Sequence, residues 1–327
     1  MSKVYDDNLR TLITDCRKLV LPLLNKMFGE NYNGAEEVEF LQNEMFFRDS
    51  SDELHERITD SSFHVLKDGS RKKYHLECQS TPDSSILIRL YEYDTQSALS
   101  SAEVKDNVLT VTLSNSGLIY LRSTETVPDI MNLRFVTPGG TMEYEVPVLK
   151  LNGFTLDDIF NQGLYILAPF YFFNCEKEFA SYNANSVSAK KFGEQYKALI
   201  DRIVETSKGG KISAYDANAM VYALKDVTVS LTERYEKLQK EVLDIMGGKV
   251  LDYPGRQAFY DGKAVGKAEG KAEGKAEGKA EGKAEDVKNI MKNMGLDVEK
   301  AMQILDIPAE KQDKIRGLVL EPEEATT

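Results

Sequence analysis

Between two β-prone runs of this chain stands the pair Asp68-Gly69, which restricts the fold more tightly than any other feature of the sequence. An Asp-Gly step in that setting favours a two-residue type I′ turn, because both central residues must take positive φ. Counting outward from the turn places Asp60 opposite Glu77 and Ile58 opposite Gln79. Facing side chains lie on one side of a sheet with Cβ atoms about 5 Å apart, within reach of a single divalent cation. The hairpin therefore predicts a metal site at Asp60 and Glu77.

Period-two alternation sorts the hairpin into two faces. Phe63, Val65, Tyr74, Leu76 and Cys78 point one way; Asp60, Ser62, His64, Lys73, His75, Glu77 and Gln79 point the other. The first face is core. The second is polar, and such faces are commonly solvated antiparallel sheet. Two carboxylates held face to face nevertheless repel and raise one pKa unless a cation or a shared proton joins them. All three histidines, His55, His64 and His75, fall in this region, so a transition metal held by imidazole and carboxylate is a second metal reading, although the spacing matches no zinc motif.

A chain of 327 residues has room for one substantial domain and a smaller one, and its 42% apolar content is compatible with a folded core. Its longest apolar run, at 164–173, is too short to span a membrane and is broken by Pro169. The N-terminus lacks a hydrophobic leader, and Cys16, Cys78 and Cys175 are widely spaced, so a reduced cytoplasm is the expected setting. A net charge of −12 argues against a protein that coats nucleic acid. It leaves a nuclease open, since a local basic patch and bound cations outweigh distant acidic surface. Lys67, Arg71, Lys72 and Lys73 cluster at the hairpin tip and are candidate DNA contacts beside the site; the alternative is a solvated turn that discourages edge pairing.

Along the chain, apolar recurrence predicts a helix over 8–28 that ends near Gly29, then an extended piece over 38–47 containing Glu44, a further candidate metal ligand. Thr81-Pro82-Asp83 reads as a helix start, and the helix should run to about 102 with Arg89, Tyr93 and Gln96 on one side. Arg89 is a candidate phosphate or carboxylate partner, a surface ion pair with Glu92 or Asp94 being the alternative. Tyr93 reads as a core or boundary residue. Strands are predicted at 107–113 and 117–122, and a second hairpin over 131–149 turns at Thr137-Pro138-Gly139-Gly140. The class is mixed α/β.

From 156 onward the pattern is helical. Met220, Leu224, Val227, Leu231, Tyr235, Leu238, Val242 and Ile245 mark an amphipathic helix of bundle or coiled-coil character, which leaves homo-oligomerisation open. Residues 262–285 repeat Gly-Lys-Ala-x six times. In a helix the lysines and the glutamates would form separate self-repelling stripes, and each glycine costs about 1 kcal/mol against alanine. The segment reads as a spacer, with a self-associated helix as the alternative. Residues 287–320 predict two short helices with Pro308 between segments.

Several segments together carry a family resemblance: Arg57-Ile58-Thr59-Asp60, the run from Tyr74 through Glu77-Cys78-Gln79 to Ser85, Arg89 with Glu92-Tyr93-Asp94-Thr95-Gln96, Val136 to Thr141, and Val146-Pro147-Val148. Over roughly residues 5–180, and in its Gly-Lys-Ala-Glu tail, the chain resembles the PD-(D/E)XK nuclease superfamily, in particular its Rpn-type, transposase-associated branch of recombination-promoting nucleases. The resemblance implies a restriction-endonuclease-like αβββαβ core (1–180), followed by a helical region (181–250), a linker (251–285) and a short helical C-terminal segment (286–327). It implies a Mg²⁺-dependent endodeoxyribonuclease, with Mn²⁺ as an alternative cation, in which Asp60 and Glu77 bind metal and Asp60, Glu77 and Gln79 form the catalytic set. Gln79 stands where the superfamily usually carries lysine, although glutamine is common in the Rpn branch; a neutral amide orients water by hydrogen bonding alone. A catalytically silent module that binds nucleic acid or protein on the same fold is the alternative reading.

Overall fold

The computed structural model describes residues 2–41, 44–48, 54–58, 61–81 and 83–247, together with 283–284, 286–292, 295–305, 307–308, 312, 315–317 and 319; for 44–48 and 54–58 the backbone alone is described. Residues Met1–Gly255 form one compact unit and Arg256–Thr327 a second.

The N-terminal run is three helical pieces rather than the single predicted helix. These are α1 (Ser2–Asp15), a 3₁₀ turn (Arg17–Val20) and α2 (Leu21–Phe28). Cys16 leaves helical geometry, and Pro22, which lacks an N–H, is accommodated in the first turn of α2. Gly29 closes α2 at φ 66°, as its position in the sequence predicts.

Among the described residues ten strands follow: β1 (Glu37–Phe40), β2 (Glu44–Arg48), β3 (Leu54–Ile58), β4 (Ser61–Lys67), β5 (Ser70–Gln79), β6 (Glu103–Lys105), β7 (Val108–Thr110), β8 (Asn115–Tyr120), β9 (Ile130–Thr137) and β10 (Gly140–Lys150). Six of them form a mixed sheet in the order β1-β4-β5-β8-β10-β9, while β2-β3 and β6-β7 are separate two-stranded ladders. The β4–β5 hairpin has the predicted turn and register: Lys67 pairs Ser70, Ser62 pairs His75, and Asp68 and Gly69 take φ 50° and 77°. The described pairing ends at Ser61 opposite Leu76. Ile58 does not face Gln79; it pairs Glu44 in the β2–β3 ladder, and Gln79 pairs Tyr120 of β8. β8 is parallel to both β5 and β10, and the β5–β8 crossover runs through α3 (Ile86–Leu99). That helix begins later than Thr81 because Asp83 spends its carboxylate on the Ser85 N–H and hydroxyl.

The two faces of the sheet are covered by different helices. Ile86 and Leu90 of α3 pack with Leu118, Tyr120, Val146 and Val148 on one face. On the other, α2 lies so close that a Cβ on Gly117 would stand 2.6 Å from Met27 Cε, and Phe28 packs on Tyr74.

After β10 the chain is helical: α4 (Leu156–Asn161), a buried 3₁₀ segment (Tyr165–Glu178), α5 (Phe179–Tyr182), α6 (Ser186–Lys208), α7 (Ala214–Leu231) and α8 (Glu236–Gly247). The predicted long amphipathic helix is divided between α7 and α8. The buried residues of α7 extend well beyond a single stripe, and it packs on α1 and the 3₁₀ segment within its own unit, not as a coiled coil. Among the described residues no helix is long and apolar enough to cross a membrane. In the C-terminal unit, Val287, Ala301, Met302, Ile307, Ile315 and Val319 form a small core, with the helix Val298–Ile304 capped by Asp297. The repeats at 262–282 lie outside the described residues.

The turn geometry yields a direct test. Gly69→Ala forces a Cβ into φ 77° and should lower stability by about 1 kcal/mol, whereas Asp68→Asn, which suits positive φ, should be neutral in denaturant titrations.

Candidate functional site

The polar face of the hairpin is not solvated. Packing of α3 against it leaves Ser62 and His75 0% exposed and Glu77 and Gln79 8% exposed. A charged group in such a place must find partners. His75 Nδ1 stands 2.9 Å from Asp94 Oδ1 and its Nε2 3.2 Å from Glu77 Oε1. Asp94, itself fully buried, accepts a second, short hydrogen bond on Oδ2 from the Ser116 hydroxyl. The Tyr93 ring packs on the imidazole with centroids 4.5 Å apart.

Both ring nitrogens of His75 meet carboxylate oxygens, and a neutral imidazole has only one N–H to offer. Burial works against the charged ring, but hydrogen bonds to Asp94 and Glu77 outweigh it and lift the pKa to about 9. The group is an imidazolium between two carboxylates. Neither nitrogen is left for a transition metal, which removes His75 from the histidine-based metal reading.

Arg89 joins the same cluster. It lies 3.6 Å from Glu77 Oε2 and 3.7 Å from Asp83, and it remains about half exposed. Its partners are therefore Glu77 and Asp83 rather than Glu92 or Asp94. Gln79, buried beside Glu77, donates its amide to the Cys78 carbonyl at 2.8 Å.

Asp6 of α1 completes the acidic side of the site and was not singled out by the sequence pattern. Burial, followed by the nearby charges of Glu77 and Asp7, pushes its carboxyl up to about 6, opposed by Arg89 and a hydrogen bond from Cys78. Its Oδ1 is buried without a hydrogen-bond partner. The apolar period Leu9, Leu12, Ile13 extends back to Tyr5, so a helix begun one turn earlier would have brought Asp6 into view. Asp94 had a clearer signal, a carboxylate set among Ile86, Leu90, Tyr93 and Ala98 on the buried face of α3.

Asp60 lies outside the described residues, as does the side chain of Glu44, whose backbone belongs to the β2–β3 ladder. Among the described residues no group of three or more His, Cys, Asp or Glu side chains forms a ready metal cage. The basic tip does not flank the site. At about 3.3 Å per residue along β5, Lys73 stands about 13 Å from Glu77, Arg71 about 20 Å, and the turn end with Lys67 about 23 Å. Its cations are also engaged: Lys67 with the Asn31 carbonyl and Glu36, Arg71 with Glu39, Lys72 with Glu30, and Lys73 with Ser97.

Comparison with known protein families, curated proteins and solved structures finds no match to this chain.

The raised pKa of Asp6 carries a stability consequence. A carboxyl whose folded pKa (about 6) exceeds its unfolded value (3.8) contributes stability that is full below 3.8 and lost as pH rises through 6. Without divalent cations, Asp6→Asn should therefore stabilise the protein at pH 8, by on the order of 1 kcal/mol given partial solvent screening, and should be neutral near pH 3.5. Thermal unfolding at the two pH values measures this.

Proposed function

We propose that the protein is a metal-dependent DNA endonuclease of the Rpn-type, transposase-associated branch of the PD-(D/E)XK superfamily. The observation that carries the reading is a second carboxylate, Asp6 of α1, near enough to Glu77 for the Glu77 charge to help raise its pKa, with one Asp6 oxygen buried and unsatisfied. Like charges are brought together there at a cost to stability, and a hard divalent cation with oxygen ligands answers both features. With α2 and the two-stranded ladders β2-β3 and β6-β7 set aside as insertions, the order α1, β1, β4, β5, α3, β8 is compatible with the helix, three strands, helix and strand of the superfamily core.

Asp60 enters the proposal through its chain position just before Ser61, which pairs Leu76. Asp60 and Glu77 would hold Mg²⁺ or Mn²⁺, which when bound would supply charge neutralisation at the scissile phosphate and a lowered pKa for the attacking water, and whose charge would offset the repulsion between Glu77 and Asp6. The remaining work falls to the chain itself. The His75 ring holds one Glu77 oxygen by a hydrogen bond. Arg89, half exposed at the rim, presents a guanidinium suited to a phosphate oxygen. Gln79 offers an uncharged amide to orient water. The second reading, a non-cleaving interaction module, draws support from the same amide being turned to its own backbone and from the ion-paired hairpin tip.

Supercoiled plasmid nicking separates the two. The wild-type protein should nick with Mg²⁺ or Mn²⁺ and stop on chelation; Asp60→Asn and Glu77→Gln should fall to background, while Gln79→Lys should equal or exceed wild type. Absence of nicking by wild type and Gln79→Lys alike would favour the silent module.

A further inference from the structure

We infer that His75, Asp94 and Ser116 act as a positioning chain for Glu77, fixing the orientation in which its carboxylate meets a divalent cation. The inference rests on the cation reading above and extends it to three residues that touch neither cation nor DNA.

The geometry runs in one direction. Ser116 on β8 donates to Asp94 Oδ2; Asp94 on α3 meets His75 Nδ1 at 2.9 Å through Oδ1; His75 on β5 meets Glu77 Oε1 at 3.2 Å through Nε2. The side chains of Ser116, Asp94 and His75 are all essentially inaccessible to water, so the chain has a single partly open end, at Glu77. One oxygen of Glu77 is committed to this chain. The other is ion-paired with Arg89 at 3.6 Å, beyond ordinary hydrogen-bond length, and is the oxygen nearer the open end.

Stability alone does not account for the arrangement. Placing charged groups under a helix costs solvation, and well-packed apolar residues of similar volume often hold such a contact as firmly or more so. Nearby positions on the same face show the apolar solution in use, with Ile86 and Leu90 of α3 and Leu118 and Tyr120 of β8 within one core. The polar solution occurs where the face reaches Glu77. Metal-binding carboxylates are held in this way by hydrogen-bonded outer partners, whose loss commonly weakens metal affinity by about 10- to 100-fold.

The test is Mn²⁺ binding to the full-length protein, read from loss of the free-ion electron paramagnetic resonance signal, with circular dichroism used to select folded variants. Glu77→Gln defines the Mn²⁺ bound through Glu77. His75→Leu, which fills space without an N–H, should weaken that binding at least about tenfold; His75→Gln, which retains an N–H donor, should recover part of it. The effect should diminish outward, with Asp94→Asn milder than His75→Leu and Ser116→Ala mildest. If Glu77→Gln lowers binding but His75→Leu, Asp94→Asn and Ser116→Ala all bind like wild type, the positioning role is wrong and the cation reading stands. Equal losses in His75→Leu and His75→Gln also overturn the role, since they would reflect packing alone. If wild type and Glu77→Gln bind Mn²⁺ identically, both the cation reading and the positioning chain fall. Should His75→Leu fail to fold, the near-isosteric Asp94→Asn and Ser116→Ala decide: wild-type affinity in both overturns the role, and graded weakening supports it.

Discussion

The imidazolium of His75, clamped between Asp94 of α3 and Glu77 of its own strand, is the interaction on which the rest of the site depends. It allows a strongly polar strand face to be buried, because each charged group there has an opposite partner within hydrogen-bond reach. It also helps decide where α3 sits on the sheet: the contact fixes the helix face carrying Asp94 over β5, and five residues earlier Arg89 reaches Glu77. A helix docked through apolar contacts alone would be free to settle by small sliding adjustments. Directional bonds to two strands, β5 and β8, remove that freedom.

The sheet organises the two sides of the site differently. On the α3 face the order is electrostatic compensation, positive His75 and Arg89 against negative Asp94 and Glu77. On the opposite face α1 delivers Asp6 beside Cys78, where burial and the Glu77 charge work in the same unfavourable direction. Stored repulsion of this kind is what a protein carries at a binding site, since a ligand of opposite charge relieves it. The close approach of α2 at Gly117 shows the same sheet face under ordinary packing, where the demand is for space and not for charge.

On the proposed function, an acidic chain acting on a polyanion would need positive charge close to the chemistry. The cations of the hairpin tip are committed elsewhere, Lys67, Arg71 and Lys72 to Glu36, Glu39 and Glu30, and Lys73 to Ser97 of α3. Those pairs staple β5 to β1 and to the segment before it, so the tip is explained as architecture. Arg89 is the cation that the described structure does place at the site.

Much of the frame was legible in the residues themselves. Asp68-Gly69 admits one turn type, and a two-residue turn fixes the register of everything paired beyond it, so the placement of Ser62 against His75 followed from local chemistry. The helix stop at Gly29 was readable for the same reason, being set by a positive φ that few residues adopt, and the β9–β10 turn at Pro138-Gly139 because proline and glycine interrupt the strand pattern. Ile58 was misplaced because register carries only as far as the strand does, and the chain leaves the ladder before that residue. What no local rule could supply was the covering of the polar face. An alternating polar strand looks the same whether water or a helix lies above it, and only the docking of α3 made His75 an ion-paired core residue. Asp6 and Ser116 belong to elements far from the hairpin in sequence, and their meeting with Glu77 and Asp94 was decided by tertiary packing alone.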